Sequence, residues 1–315
     1  ISKLQRKKMS RIIVTGGLGH IGSGLIRHLL ARDYKVICID NLLTQRVSSL
    51  RGLVGNRSFQ FIDLDIAAKN LLLSKVLDGQ KIDCIVHLAA ITNAEASHDK
   101  AEEVHNNNYN STKNIVNFCQ ESNIKLIFPS STSVYGSADA EVFEDDPSVL
   151  KPQSPYAESK VNEEELIINS LGKNFNILRL GTIFGASPGM RFHTAVNKFC
   201  WQASLGQPIS VWKTAMNQYR PYLALSDAFR AIDFFIENNH EGAVFNVLTQ
   251  NYTVHDILEA IKEFSEIEIE FVESKIMNQL SYFVSNDKIT SLGFDFQGNL
   301  QEAIKETMDW LQFES

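Results

Sequence analysis

Apolar residues in this chain gather in short runs, and the stretches between those runs repeat apolar positions at helical spacing. Arg11-Ile12-Ile13-Val14 reads as a strand, followed by a glycine-rich turn and a helix carrying Leu25, Ile26, Leu29 and Leu30. Further strands are predicted at Val36-Ile37-Cys38-Ile39, Phe59-Gln60-Phe61-Ile62, Cys84-Ile85-Val86-His87, Leu126-Ile127-Phe128 and Phe175-Asn176-Ile177-Leu178. Most are rich in β-branched or aromatic residues, and runs this apolar suit strands covered on both faces. Strand and helix alternate, which predicts an α/β fold built on a doubly wound parallel sheet. Beyond residue 181 the pattern loosens. Gly and Pro punctuate 185–189, a helix is expected over 192–205, and Gly206-Gln207-Pro208 breaks it. Ala243-Val244-Phe245-Asn246-Val247 reads as a late strand. The expected division is an arm over 1–10, a large domain over 11–180, and a smaller lobe in 181–315 whose segment 221–248 returns to the large domain.

Composition narrows the class. The chain of 315 residues is 44% apolar and 21% charged, ordinary for one large domain or two smaller ones. A net charge of −7 argues against a protein that grips nucleic acid by neutralising phosphates. No stretch approaches the roughly 18 to 20 apolar residues that span a bilayer, so no membrane span is expected. Residues Ile1 to Lys8 are basic and polar, without the apolar core of a secretory leader. Met9-Ser10 reads as the natural beginning, and the arm as disordered or an expression remnant. Cys38, Cys84, Cys119 and Cys200 lie far apart in apolar surroundings, as expected of buried, reduced thiols in a cytoplasmic protein. Neither Cys-x-x-Cys nor His-x-x-x-His occurs, so no metal site is expected.

Chemistry begins at the first turn. Gly16, Gly19 and Gly22 stand between a predicted strand and a predicted helix. A tight turn, close backbone approach to a pyrophosphate and close helix–strand packing each exclude a side chain, and a helix N-terminus offers N–H groups to the anion. Gly16, Gly19, His20, Ile21 and Gly22 are therefore the candidate dinucleotide-binding residues of a Rossmann-type domain. Asp40 ends the next strand, 18 residues after Gly22, where its carboxylate can accept both ribose hydroxyls of NAD and would repel the extra phosphate of NADP. Asp65-Ile66 follows the third strand, where a carboxylate can bond the adenine amino group and an apolar side chain can flank the ring. Leu88-Ala89-Ala90 follows the fourth, where small residues let the backbone lie against the cofactor ribose. His87 belongs to the strand and reads as a satisfied core histidine.

Tyr156 and Lys160 are four residues apart, hence on one face of a helix. Ser154-Pro155 before them reads as an N-cap and a first-turn proline. A tyrosine of ordinary pKa, about 10, is a poor base at neutral pH; a neighbouring lysine and a positively charged nicotinamide ring would lower it toward the working range. The preceding strand ends in Pro129-Ser130-Ser131-Thr132-Ser133-Val134-Tyr135-Gly136, at the sheet edge where such folds place their sites.

Taken together these motifs resemble an extended short-chain dehydrogenase/reductase, in the NAD-dependent epimerase/dehydratase family that acts on nucleotide-linked sugars. The glycine loop, Asp40-Asn41-Leu42, Asp65-Ile66, His87-Leu88-Ala89-Ala90, Asn108 before Ser111-Thr112, Ser131-Thr132-Ser133-Val134-Tyr135-Gly136, Tyr156/Lys160 and Arg220 follow the family order over residues 11 to about 310. The resemblance implies Ser131, Tyr156 and Lys160 as the catalytic triad. Tyr156 would take the proton of a sugar hydroxyl, commonly at C4, as the hydride passes to NAD; Lys160 would hold the nicotinamide ribose and Ser131 the reacting oxygen. It adds Asn41, Leu42 and Asn108 to the cofactor set. For a nucleotide-diphosphate sugar it gives Thr92, Ser131, Thr132, Thr182, Asn197, Val211, Trp212, which resembles a base-stacking aromatic, and Arg220, which matches a diphosphate clamp.

Some positions depart from the family. Dehydratases of the family place an Asp-Glu pair after the triad hydroxyl, whereas Thr132-Ser133 stands here, so elimination of water across C5 and C6 lacks its acid. Thr182 replaces a common asparagine, and a second family arginine is not evident near Asn278-Gln279-Leu280-Ser281-Tyr282. Helices around 104–121 and 156–170 correspond to those that pair in the family as a four-helix bundle, which implies a homodimer or a higher oligomer. Glu163-Glu164-Glu165 reads as a solvated face. The leading functional reading is a nucleotide-sugar 4-epimerase. The alternatives are a 4-dehydrogenase or 4-ketoreductase with net redox change and, more remotely, a non-catalytic NAD-binding regulator, which the intact triad disfavours.

Overall fold

The computed structural model describes residues 10–44, 47–92, 100–138, 140–238, 240–273 and 282–312. The predicted arm, but for Ser10, and residues 278–281 lie outside them. In chain order the first half runs β1 (Arg11–Thr15), α1 (His20–Ala31), β2 (Lys35–Asp40), β3 (Phe59–Asp63), α2 (Leu73–Val76), β4 (Cys84–His87), α3 (Ala101–Ser122), β5 (Lys125–Ser131), α4 (Pro155–Leu171) and β6 (Phe175–Leu180). It continues with β7 (Thr182–Phe184), α5 (Ala195–Ser204), β8 (Ile209–Trp212), β9 (Arg220–Ala224), α6 (Leu225–Glu237) and β10 (Ala243–Val247). Last come β11 (Gln250–Tyr252), α7 (Val254–Lys262), β12 (Ile269–Val272), α8 (Asp287–Ser291) and α9 (Leu300–Leu311).

Seven strands form one parallel sheet in the order β10-β6-β5-β4-β1-β2-β3. This is the doubly wound, Rossmann-type sheet that the apolar runs predict. Side chains alternate across it, so each strand feeds two cores. Ile12 and Val14 pack with Leu25, Ile26 and Leu29 of α1 and with Ile232 and Phe235 of α6. Ile13 faces the other way, with Ile85, Leu126 and Phe128, against Ile115 of α3 and Ile167 of α4. A third cluster joins Phe184, Phe199 and Cys200 to Ile257, Ile261 and Ile304 in the second lobe. That lobe also carries the small sheets β11-β9-β7 and β12-β8.

The chain leaves β1 toward β2 and β3, then returns to place β4, β5 and β6 on the opposite side. Strand order therefore reverses between β1 and β4, and the crevice outside their carboxyl ends is where such sheets bind ligands.

One expectation fails. Glu163 and Glu164 are buried and only Glu165 is exposed, so the acidic run is not a solvated face. Glu164 accepts from Arg179 Nε and Nη2, the latter at 2.6 Å, and from Ser130 Oγ at 2.5 Å. Glu163 accepts from Thr112 Oγ1 at 2.6 Å and Ser159 Oγ at 3.0 Å. Each inward carboxylate has donors supplied by neighbouring elements, which is what lets a charge be buried.

Candidate active site

A cavity of about 500 Å³ opens at the crevice. One end is the turn between β1 and α1. Gly16 there has φ +61°, and a Cβ would stand 2.7 Å from the backbone of Ala89; at Gly22 a Cβ would come within 2.6 Å of Gly17 Cα. Both positions exclude a side chain by contact. α1 starts with neither a side-chain cap at Gly19 nor an acid in its first turn, leaving its N-terminal dipole for an anion. Asp40 lies at the end of β2. Its carboxylate accepts from Leu18 N at 3.1 Å and Leu42 N at 2.9 Å, which fixes it at the cavity wall.

Gly16, Gly19, His20, Ile21, Gly22, Asp40, Asn41, Asp65, Ile66, Leu88, Ala89, Ala90, Tyr156 and Lys160 all line this cavity. So do Thr92, Ser131, Thr132, Thr182, Trp212 and Arg220. Four candidates do not, and the structure gives them other work. Leu42 packs against the α1-side core, and Leu43 reaches the cavity instead. Asn108 holds the loop after β4, accepting from Ile91 N at 2.8 Å and donating to Ile91 O at 3.1 Å. Asn197 binds both backbone groups of Gly185 and the carbonyl of Arg191. Val211 is buried in the second lobe's core.

The other end of the cavity holds the candidate triad, Ser131, Tyr156 and Lys160. Ser154 caps α4, accepting from Ala157 N at 3.2 Å with Pro155 in the first turn. This sets Tyr156 and Lys160 one turn apart beside the carboxyl end of β5. Ser131 Oγ accepts from Ser133 N at 3.2 Å, and its hydroxyl faces the Tyr156 phenol, where it favours the ionised form. Lys160 is buried, with its Nζ 4.4 Å from the centre of the Phe128 ring and 3.4 Å from Glu163 Oε2. Burial raises the tyrosine pKa above its ordinary value; Lys160, Ser131 and Arg191 pull it down, while the Glu163 charge pushes it up. Lys160 thus acts in the expected direction, but against the burial of the phenol it does not prevail.

Arg191 and His193 were not read from the sequence, and both line the cavity. Arg191 donates to Thr92 Oγ1. Both follow a Gly/Pro-punctuated segment with no periodicity, so only the fold brings them to the site. That segment is fastened to the cofactor end. Ser187 Oγ donates to His20 O at 2.8 Å, Gly189 N to Ser23 Oγ at 2.9 Å, and His20 Nε2 to Gly185 O at 2.9 Å. At Gly189 a Cβ would lie 2.4 Å from the carbonyl oxygen of Gly19.

His87 is buried between Thr15 Oγ1, 2.6 Å away, and Thr112 Oγ1, 3.2 Å away, and burial pushes its pKa down to about 3. It is a neutral core histidine. Among the described residues no group of three or more potential metal ligands occurs, and no helix is long and apolar enough to cross a membrane.

The sequence profile of the NAD dependent epimerase/dehydratase family matches residues 12–247. The chain belongs to that family. It is an NAD-dependent enzyme of the extended short-chain dehydrogenase/reductase type, and the residues present fit the cofactor: an uncapped helix start behind glycines, then Asp40, then Asp65-Ile66 along one wall. A trifunctional UDP-glucose 4,6-dehydratase/UDP-4-keto-6-deoxy-D-glucose 3,5-epimerase/UDP-4-keto-L-rhamnose-reductase of Arabidopsis thaliana is 28% identical over 96% of this chain. The match covers 47% of that protein, so the chain spans about half the length of such plant relatives. The dTDP-D-glucose 4,6-dehydratase of Mus musculus is 27% identical over 95% of this chain and 88% of its own. The crystal structure of UDP-glucuronic acid 4-epimerase from Bacillus cereus, in complex with UDP-glucuronic acid and NAD, superposes with a TM-score of 0.85. It is 26% identical and covers 96% of this chain and 99% of its own.

Asp40 gives this family member a direct test. Replacing Asp40 by Ala removes a charged acceptor from the cavity wall, and lost hydrogen bonds to charged groups cost about 1.5–3 kcal/mol. NAD affinity is expected to fall about 10- to 100-fold by titration calorimetry, with NADP affinity unchanged or improved. Unaltered NAD affinity would remove Asp40 from the cofactor set.

Proposed function

We propose that this chain oxidises C4 of a nucleotide-linked sugar and returns the hydride to the opposite face, as a nucleotide-sugar 4-epimerase. The carrying observation is the convergence of Ser131, Tyr156 and Lys160 at one end of a cavity whose other end is the glycine loop and Asp40. When bound, NAD supplies the hydride acceptor and a positive charge beside the phenol. Tyr156 takes the C4 hydroxyl proton, and Ser131 donates to the phenolate or to the reacting oxygen. Lys160 favours the phenolate and reaches the ribose side of the cavity. Arg220, at the start of β9, supplies a guanidinium for the diphosphate, and Trp212, about a third exposed, offers a face for the base.

Two of the sequence relatives named above are dehydratases by name, but the local chemistry favours epimerisation. Elimination needs an acid and a base beside C5 and C6. Among the described residues lining the catalytic end, the family's Asp-Glu positions are Thr132 and Ser133, and no carboxylate lines that end. Thr132 Oγ1 is engaged with the Leu180 carbonyl at 3.3 Å. The same reading carries a homodimer in which α3 and α4, packed on each other within the chain, pair with those of a second copy.

The test is incubation of the NAD-loaded protein with UDP-, dTDP-, GDP- and CDP-sugars, UDP-glucuronic acid included. An inverted C4 centre without net change in reduced-nicotinamide absorbance is the expected outcome. Stoichiometric reduced cofactor with a released ketosugar would replace the epimerase by a 4-dehydrogenase. A 4-keto-6-deoxy sugar would overturn the argument from Thr132 and Ser133.

A further inference from the structure

Glu163 has no part in the chemistry described so far, yet it lies fully buried at the end of a single hydrogen-bonded chain. The direction of every link follows from proton counting. Thr112 gives its one hydroxyl proton to Glu163 Oε2 at 2.6 Å. His87, neutral in this site, must then donate from Nε2 to Thr112 Oγ1 and accept at Nδ1 from Thr15 Oγ1. Thr15 Oγ1 in turn accepts from Ala89 N at 3.2 Å. Ala89 belongs to the cofactor wall, and Lys160 Nζ stands 3.4 Å from the same Oε2. No link competes with another for a proton.

We propose that Glu163 is a positioning residue, which fixes the Lys160 ammonium between cofactor and phenol and ties it through Thr112, His87 and Thr15 to the backbone N–H of Ala89. This rests on the triad reading above, and it adds a counterweight to it. The groups that face Tyr156 are Lys160 and Glu163 from α4, Ser131 from β5 and Arg191 from the segment before α5. Glu163 opposes the two cations, so the phenol's acidity is set by a balance with Glu163 on the restraining side. The neighbouring Glu164 is already matched by Arg179, and His87 carries no charge.

Glu163→Gln keeps the shape. Its carbonyl oxygen can stay with Lys160 and Thr112 while the amide nitrogen donates to Ser159 Oγ, whose hydroxyl turns to accept. Only the charge goes. In the NAD-loaded protein without substrate, Tyr156 ionisation is read as the ultraviolet tyrosinate difference between each form and its Tyr156→Phe counterpart. E163Q is expected to lower the midpoint by about half a unit to one unit, and to move the acid limb of the turnover–pH profile the same way. Thr112→Val is expected to raise the midpoint, because Oε2 loses its hydroxyl donor and keeps its charge. Opposite displacements are the signature, and the valine variant decides alone if E163Q does not fold. Unmoved midpoints would make Glu163 structural only and overturn the proposal. Since the titration needs no sugar, absence of sugar oxidation by the unaltered protein would sink the epimerase reading instead.

Discussion

Tyr156→Phe is expected to lower turnover about 10²- to 10⁴-fold, the range lost when a positioned proton-transfer group is removed. The substitution deletes one hydroxyl from a half-buried ring at the cavity wall and leaves the glycine loop, Asp40 and Lys160 in place, so NAD binding is expected to persist. The phenol is the group on which Ser131, Lys160 and Arg191 all act in the direction of ionisation. Steady-state kinetics on the sugar found active above, with cofactor content measured on the same sample, checks both halves. A variant that retains near-normal turnover would move the base elsewhere, and His193, which lines the same cavity, would be the next residue to replace.

Arg179→Leu is expected to destabilise the protein by about 3–5 kcal/mol, the cost of removing one partner from a buried ion pair. Glu164 would be left with Ser130 alone and no cation. The loss spreads, because Arg179 Nη1 also donates to Tyr135 Oη at 3.0 Å, and Tyr135 donates to Asn246 on β10. Chemical denaturation at neutral pH reads the effect. Replacing Glu164 and Arg179 together by leucine is expected to cost less than Arg179→Leu, because no unpaired charge remains. If Arg179→Leu were within about 1 kcal/mol of the unaltered protein, this network would not be holding β5, α4 and β6 together.

Much of this was legible in the chain itself. Strands buried on both faces leave unmistakable apolar runs, and the late strand Ala243–Val247 was readable for the same reason although it pairs with β6, far earlier in sequence. Motifs of adjacent residues, such as Gly16 to Gly22 or Tyr156 with Lys160, carry their geometry with them. Partnership across the fold does not. Three glutamates in a row resemble a wet surface, but about 100° of turn per residue brings Glu163 and Glu164 inward and leaves Glu165 out. Their donors come from Thr112, 51 positions away, and Arg179, 15 away, and no local pattern announces them. Asn197 and Val211 show the converse: family order placed them at the substrate, but their side chains turn into loop support and apolar core.

The bonds joining residues 185–189 to the first turn of α1 bear on which parts of the molecule can yield. Gly189 packs on the Gly19 carbonyl at a separation too small for a methyl group, and the segment is stitched there by Ser187, Ser23 and His20. None of Gly185, Ser187 and Gly189 lines the cavity, so the turn that carries Gly16 to Gly22 is braced from behind. Arg191 and His193 follow directly on that brace and do line the cavity, so their approach to it is tied to the glycine turn through several hydrogen bonds at once.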